Sequence, residues 1–245
     1  MSIDTSPLVT VITVVYNNAK TLEQTILSVI EQSYKNVEYI IIDGGSTDGS
    51  VEIIQKYARF LSHWESEPDQ GLYFAMNKAL KRASGAFIAI INSDDWYEPN
   101  ALAQIVDAAI QFPETDVFHG LLRFIDLQQN EEMIRGHYDS FLSKGMIEHP
   151  TCFVKKTIYD RVGFFDTRYQ SAADYDWMIR VKKSGAKFRL LPAVLSNFRR
   201  GGMSESLLGA LEEVNIKRKH GYLSTTSYWY KKVYIFVLRI IRRRK

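Results

Sequence analysis

The chain has 245 residues, 46% of them hydrophobic, and a single cysteine, Cys152. That length supports one large core, one cysteine excludes an internal disulfide and fits a reducing compartment, and no run approaches the roughly 20 apolar residues of a membrane-spanning helix. The net charge of +3 is uneven: Lys217 to Lys245 hold ten Lys/Arg and no Asp/Glu, leaving 21 basic and 28 acidic residues, or −7, on the rest, which argues against a general nucleic-acid binder and for a domain with a local device for anionic surfaces.

The N-terminal stretch "MSIDTSPLVTVITVVYNN" lacks a basic n-region and a cleavage site and reads as the start of a mature cytosolic protein. Leu8–Tyr16 is apolar and β-branched, as in a strand buried on both faces. The next segment, "AKTLEQTILSVIEQS", places Leu22, Ile26, Val29 and Ile30 at helical spacing. Asn36–Asp43 is a second strand, and "DGSVEIIQKYARF" a second helix with Asp48 as its expected N-cap. A weaker strand, "LSHWESE", leads to a third helix, "GLYFAMNKALKRAS", with Gly85 as its expected stop. "AFIAIIN" is a fourth strand. Three strand–helix units in succession predict a parallel sheet with helices on both faces.

Beyond Asp116 the alternation loosens. "DVFHGLLRFIDL" and "MIRGHY" read as strands, with antiparallel pairing one option, and "PTCFVKK" as another. "ADYDWMIRVKKSG" is a helix on which Asp176 and Arg180 can pair, and "FRLLPAVLSNFRR" is extended. The expected plan is one α/β domain over 1–224, with a nucleotide-type half at about 8–115 and a more variable half at about 116–224, followed by a tail over 225–245.

The stretch "FIAIINSDDWYEP" ends a buried strand in two adjacent acids. In an open parallel sheet, ligands bind beyond the carboxyl ends of the strands. Asp43, Asp94 and Asp95 all fall there. Their mutual repulsion needs a cation or hydrogen-bond donors to offset it. A divalent metal does this and leaves coordination positions for phosphate oxygens. The alternative is that Asp94 and Asp95 cap a helix starting near Pro99. The loop after the first strand, "VVYNNAKT", carries neither a dinucleotide fingerprint nor a P-loop, so no glycine turn cradles phosphates at the first helix.

Four motifs in order, "VTVITVVYNN", "YIIIDGGSTDGS", "DQGLYFAMNKALKRASGAFIAIINSDD" and "AADYDWMIR" followed by "FRRGGMS", resemble the family 2 glycosyltransferases over roughly Leu8 to Ser204. The resemblance implies the GT-A fold, with a Rossmann-like, mostly parallel sheet and a smaller antiparallel acceptor-side region. It implies an inverting sugar transfer from a nucleotide-diphosphate sugar, with UDP as the expected nucleotide, to an acceptor hydroxyl in cell-surface polysaccharide synthesis. It also implies Mn2+ or Mg2+ as cofactor.

By the same resemblance Tyr16 stacks on the nucleobase, or is a core tyrosine at a strand end. Asp43 accepts a hydrogen bond from the uracil imide, or forms an Asx-turn with Gly44 and Gly45. Asp69 lies beside the donor, or caps the third helix. Asp94 is the ribose-side acid and Asp95 the metal ligand, in an "SDD" where some relatives carry "DxD". Asp174 is the general base, or an N-cap; Ala173 stands where relatives carry an acid. Arg199 and Arg200 fold over the diphosphate, in place of a histidine found in relatives, or form a solvated basic turn. His149 lines the acceptor pocket, or is a packing residue.

The tail, "SYWYKKVYIFVLRIIRRRK", joins aromatic and aliphatic residues to a basic end. It reads as a basic amphipathic helix lying on an anionic membrane surface, or as one docking on a partner subunit or the domain body. A surface helix fits a lipid-linked glycan acceptor and a cytoplasmic protein peripheral to the inner face of the membrane. Two competing readings are a sugar-nucleotide nucleotidyltransferase, which wants a glycine-rich basic loop after the first strand, and a non-catalytic scaffold of the same fold.

Overall fold

The computed structural model describes residues 6–126, 131–200 and 206–243. Its first strand, β1 (Val9–Val15), is buried at every position. Ile12 and Val14 enter one hydrophobic cluster, while Val9, Val11 and Val15 enter the other. The uninterrupted apolar run has this cause: successive side chains point to opposite faces, and both faces are covered. Helix α1 (Ala19–Ile30) buries Leu22, Thr25, Ile26 and Val29 on one stripe. Strand β2 (Val37–Asp43) pairs parallel with β1. Then come α2 (Ser50–Tyr57), β3 (His63–Ser66), α3 (Leu72–Arg82) and β4 (Phe87–Ile90). Strands β1 to β4 all pair in parallel, as the repeated strand–helix pattern predicts.

Two boundary expectations are corrected. Gly49, in the left-handed region at φ 100°, holds the N-cap position of α2, because the chain must turn sharply there. Asp48 still serves the helix: its Oδ1 accepts the Ser50 N–H at 3.1 Å, while its Oδ2 accepts Ala19 N–H at the start of α1 at 2.9 Å. One carboxylate thus joins two helix N-termini, where negative charge is favoured. Gly85 does not stop α3, which ends in Arg82 with Ala83 at its C-cap. Its role is close approach: a Cβ there would sit 2.6 Å from the Thr10 nitrogen.

The second half begins with β5 (Trp96–Tyr97) and α4 (Ala101–Gln111). Strands β6 (Val117–Asp126), β7 (Glu131–Arg135) and β8 (Phe153–Lys155) follow, then α5 (Lys156–Val162), α6 (Ala173–Lys183), β9 (Phe188–Arg199), α7 (Leu207–Lys219) and α8 (Thr225–Arg243). Among the described residues, nine strands form one sheet in the order β3-β2-β1-β4-β8-β6-β9-β5, with β7 paired to β6. Pairings β4–β8, β6–β8, β6–β7 and β5–β9 are antiparallel, whereas β6–β9 is parallel. The expected α/β architecture, parallel at one end with an antiparallel region beside it, is therefore what the chain adopts.

Helices α3, α5 and α6 cover one face, and α1, α2 and α4 the other. Trp177 of α6 is wholly buried and stacks on Tyr159 at 4.3 Å. Its indole N–H donates to the Gly163 carbonyl at 2.6 Å, so the large ring is buried without an unpaired donor. The predicted Asp176–Arg180 pair forms at 2.9 Å, and Lys219 and His220 also bond to the buried Asp176 carboxylate. Three partners compensate for its desolvation, and its pKa lies below the ordinary carboxylate value, although burial alone would raise it.

Candidate active site

The parallel strands deliver their acids to one rim. Val15 lies opposite Asp43, and Asp43 opposite Ser66. The Asp43 side chain is fully buried; its Oδ2 accepts from Gly45 N–H, Ser46 N–H and the Ser66 hydroxyl at 3.0, 2.9 and 2.6 Å. The Asx-turn is thus real, but Asp43 Oδ1 is buried and has no partner. Beside it Tyr16 is 67% exposed, so it is not a core residue. Its ring lies over Gly44, where a Cβ would come within 3.4 Å of it.

The loops of this rim are tied together by two asparagines. Asn17, at φ 49°, donates its N–H to Ser46 Oγ and accepts from Thr47 N–H. Asn18 donates to Ser93 Oγ at 2.9 Å, across 75 residues of sequence. Thr21 and Thr25 of α1 donate to the carbonyls of Ser93 and Asp95. The N-terminal half of α1 therefore fixes the "SDD" loop.

Asp94 and Asp95 do not cap a helix: the N-cap of α4 is Asn100. Asp95 is wholly buried, its Oδ1 accepts the Arg199 N–H at 3.2 Å, and its Oδ2 has no partner. Burial and the neighbouring Asp94 charge push its pKa well above the usual carboxylate value. Burial also raises that of Asp94, against the pull of Arg199. The Arg199 guanidinium donates to the Asp94 carbonyl at 3.1 Å and to Gln24 Oε1 at 2.9 Å, and lies 5.0 Å from the Trp96 ring centre. Arg200, just beyond β9, faces elsewhere, with its guanidinium 3.8 Å from Asp126. The following residues of the "FRRGGMS" motif, 201–204, lie outside the described residues.

Asp69 pairs with Lys78 at 2.7 Å, its Oδ2 is buried without a partner, and the N-cap of α3 is Gly71. Two residues into α3, the Tyr73 hydroxyl donates to Asp174 Oδ1 at 3.0 Å. Asp174 sits in the first turn of α6 behind the N-cap Ala172, and its Oδ1 also accepts Tyr175 N–H at 2.9 Å. Burial lowers the pKa of His149 while the Asp174 charge raises it, which places the two side chains in one electrostatic neighbourhood. His149 packs edge-on against Phe165, whose ring is 5.5 Å from that of Tyr73. The rim is thus continuous: Asp43 bonds to Ser66, the chain runs on through Asp69 to Tyr73, and Tyr73 bonds to Asp174.

Sequence reasoning misses Tyr73, Asn18 and Glu212. The Glu212 carboxylate, on α7, accepts the N–H groups of Gln170, Ser171 and Ala172 at 2.8, 2.9 and 3.0 Å. It holds the loop that leads into α6 and Asp174.

Residues 10–177 match the family model of glycosyl transferase family 2. The chain belongs to this family. An uncharacterized glycosyltransferase of Mycobacterium tuberculosis (strain CDC 1551 / Oshkosh) is 32% identical over 180 residues, covering 71% of this chain and 69% of that protein. Among solved structures, the mannosyltransferase PcManGT from Pyrobaculum calidifontis, in complex with GDP-Man and Mn2+, superposes with a TM-score of 0.69 at 21% identity over 94% of this chain and 70% of that one. S. aureus TarS 1-349 in complex with UDP-GlcNAc superposes with a TM-score of 0.68 at 19% identity, over 91% of this chain and 69% of that one. The chain spans 41% of a longer TarS structure. At these identities the likenesses speak for the GT-A fold alone. Family membership makes the chain a glycosyltransferase and decides against the nucleotidyltransferase reading.

Proposed function

We propose that this glycosyltransferase moves a sugar from a nucleotide-diphosphate sugar, of which UDP is the favoured nucleotide, to a hydroxyl of a lipid-linked glycan by a single inverting displacement. Asp174 is the general base: it takes the acceptor proton as the hydroxyl adds to the anomeric carbon from the face opposite the diphosphate. The observation that carries this reading is the Tyr73–Asp174 hydrogen bond, because it fixes the base at the end of the same loop that carries Asp69. One carboxylate then serves the acceptor, so no covalent glycosyl–enzyme is required, unlike in the two-carboxylate retaining hydrolases.

The donor side is assigned on the same rim. The unpartnered Asp43 Oδ1 is an acceptor for a base N–H, and the exposed Tyr16 ring is a surface for base stacking. Asp69, with its own unpartnered oxygen, and Asp94 line the sugar and ribose side. Arg199 is better placed than Arg200 for phosphate oxygens, since Arg199 lies against Asp94 and Arg200 pairs with Asp126. His149 borders the acceptor end beside Asp174.

The donor set fits a single divalent cation, Mn2+ or Mg2+. Asp95 offers a buried oxygen without a partner, next to a second carboxylate. Among the described residues no three His, Cys, Asp or Glu side chains converge, so most of the remaining ligands would be diphosphate and water oxygens. When bound, such a cation supplies positive charge against the departing diphosphate. The test is Asp174→Asn with a panel of nucleotide sugars. The variant keeps nucleotide binding and loses about 10²–10⁴-fold in transfer; transfer near the wild-type rate would overturn the assignment.

A further inference from the structure

The C-terminal helix α8 leaves a broad apolar surface uncovered. Trp229, Val233 and Phe236 are 58, 59 and 62% exposed, and Tyr230, Tyr234 and Val237 are exposed with them. At 3.6 residues per turn these six fall in one unbroken arc of about 160°. The opposite side is the seated one. There the Tyr228 hydroxyl donates to Asn215 Oδ1 of α7 at 3.1 Å, and Lys232 Nζ donates to Tyr228 at 3.1 Å. Arg218 of α7 donates to Thr225 at the helix start. Among the described residues no helix is long and apolar enough to cross a membrane.

In the sequence, Lys231, Lys232, Arg239, Arg242, Arg243, Arg244 and Lys245 are basic, and no acid occurs from Lys217 onward. A second copy of this helix would bring like charge against like charge. An anionic bilayer satisfies both features: aromatic and aliphatic side chains enter at headgroup depth while the basic residues of the segment add attraction to anionic headgroups. We infer that α8 lies in the plane of an anionic bilayer and anchors the enzyme there. The anchor also bears on the site. Asn215, which seats α8, is one turn from Glu212, which holds the loop before Asp174. Helix α7 thereby links the anchor to the loop before Asp174. That last step rests on the glycosyl-transfer reading and deepens it, since it favours an acceptor carried on lipid.

The experiment is sedimentation of the 245-residue chain, without nucleotide, with phosphatidylcholine vesicles prepared with or without phosphatidylglycerol. The expected result is partitioning at least about tenfold stronger onto the anionic vesicles, weakening as salt is added. The triple variant Trp229→Ser, Val233→Ser, Phe236→Ser loses it while melting near the wild-type temperature, because these side chains lie mostly in solvent. Lys231→Ser with Lys232→Ser weakens it in part. Equal binding to neutral vesicles, or an unaffected triple variant, would overturn the inference. So would a dimer that the triple variant abolishes, with no vesicle binding in the wild type. Because no nucleotide is present, vesicle binding can fail while donor turnover survives, and the reverse.

Discussion

The phenol of Tyr73 donates to the carboxylate of Asp174 across 101 residues of sequence, at 3.0 Å. Tyr73 is buried, and the pKa of its hydroxyl is raised first by that burial and then by the Asp174 charge, so the proton stays on the phenol and the bond keeps its direction. Tyr73→Phe removes the donor and little volume. A hydrogen bond to a charged group contributes about 1.5–3 kcal/mol, so kcat falls by about tenfold to a hundredfold if the bond positions the base. Nucleotide affinity, measured by calorimetry in the same preparation, stays at the wild-type value. A purely structural role would instead lower the melting temperature and leave kcat intact.

The pair Asp94–Asp95 gives a prediction about metal. A cation and nucleotide at 100 times their dissociation constant stabilise the folded state by about 2.7 kcal/mol. For a domain of this size that raises Tm by about 5–10 °C. Asp95→Asn removes the buried charge but not the Oδ1 that accepts from Arg199. Without metal it melts at or above the wild-type temperature. With Mn2+ and UDP it gains nothing, as differential scanning fluorimetry would record.

Glu212 stands in for a helix cap at a distance. No side chain caps α6, yet three successive N–H groups before it end on one buried carboxylate. Glu212→Gln keeps the shape and discards the charge. It costs about 2 kcal/mol and lowers Tm by about 4–8 °C. Transfer falls as well, since the loop that sets Asp174 loosens, while UDP affinity is unchanged. A variant that melts lower but transfers at the full rate would separate Glu212 from the site.

His119 governs part of the acid response. It is buried against Phe188, with Nδ1 unpartnered, and burial lowers its pKa from 6.5 to about 4. The folded state therefore holds the neutral ring. That stability is fully present above pH 6.5 and is lost as pH falls toward 4, by about 3 kcal/mol in all. His119→Phe flattens the stability curve between pH 6.5 and 4 in urea melts. A variant curve parallel to that of the wild type would refute the assignment.

Much of the first half was legible in the sequence because its elements are long and periodic. Strands β1 and β2 are apolar on both faces, and α1 shows its stripe at Leu22, Ile26 and Val29. Strand β5 has two residues and α5 seven, too short for a period to emerge. Helix α7 hides for another reason: Glu212 and Lys217 are among its buried residues, so its packed face does not look apolar. At the site, Asp43, Asp94 and Asp95 were legible from their place at strand ends. Asp174 came from the family resemblance, not from spacing. Tyr73, Asn18 and Glu212 declare themselves only through partners 101, 75 and 40–42 residues away, which no local pattern encodes.

Strand β9 enters the sheet between β6 and β5, and its last residue, Arg199, supplies the N–H that meets Asp95. Asp94 and Asp95 are thus synthesised about a hundred residues before the segment that meets them. A nascent chain still lacking β9 carries two neighbouring negative charges on an unfinished sheet edge. The Asp94–Asp95 rim is consequently one of the last parts of the molecule to mature, and a fragment ending before β9 would lack the N–H that Asp95 accepts.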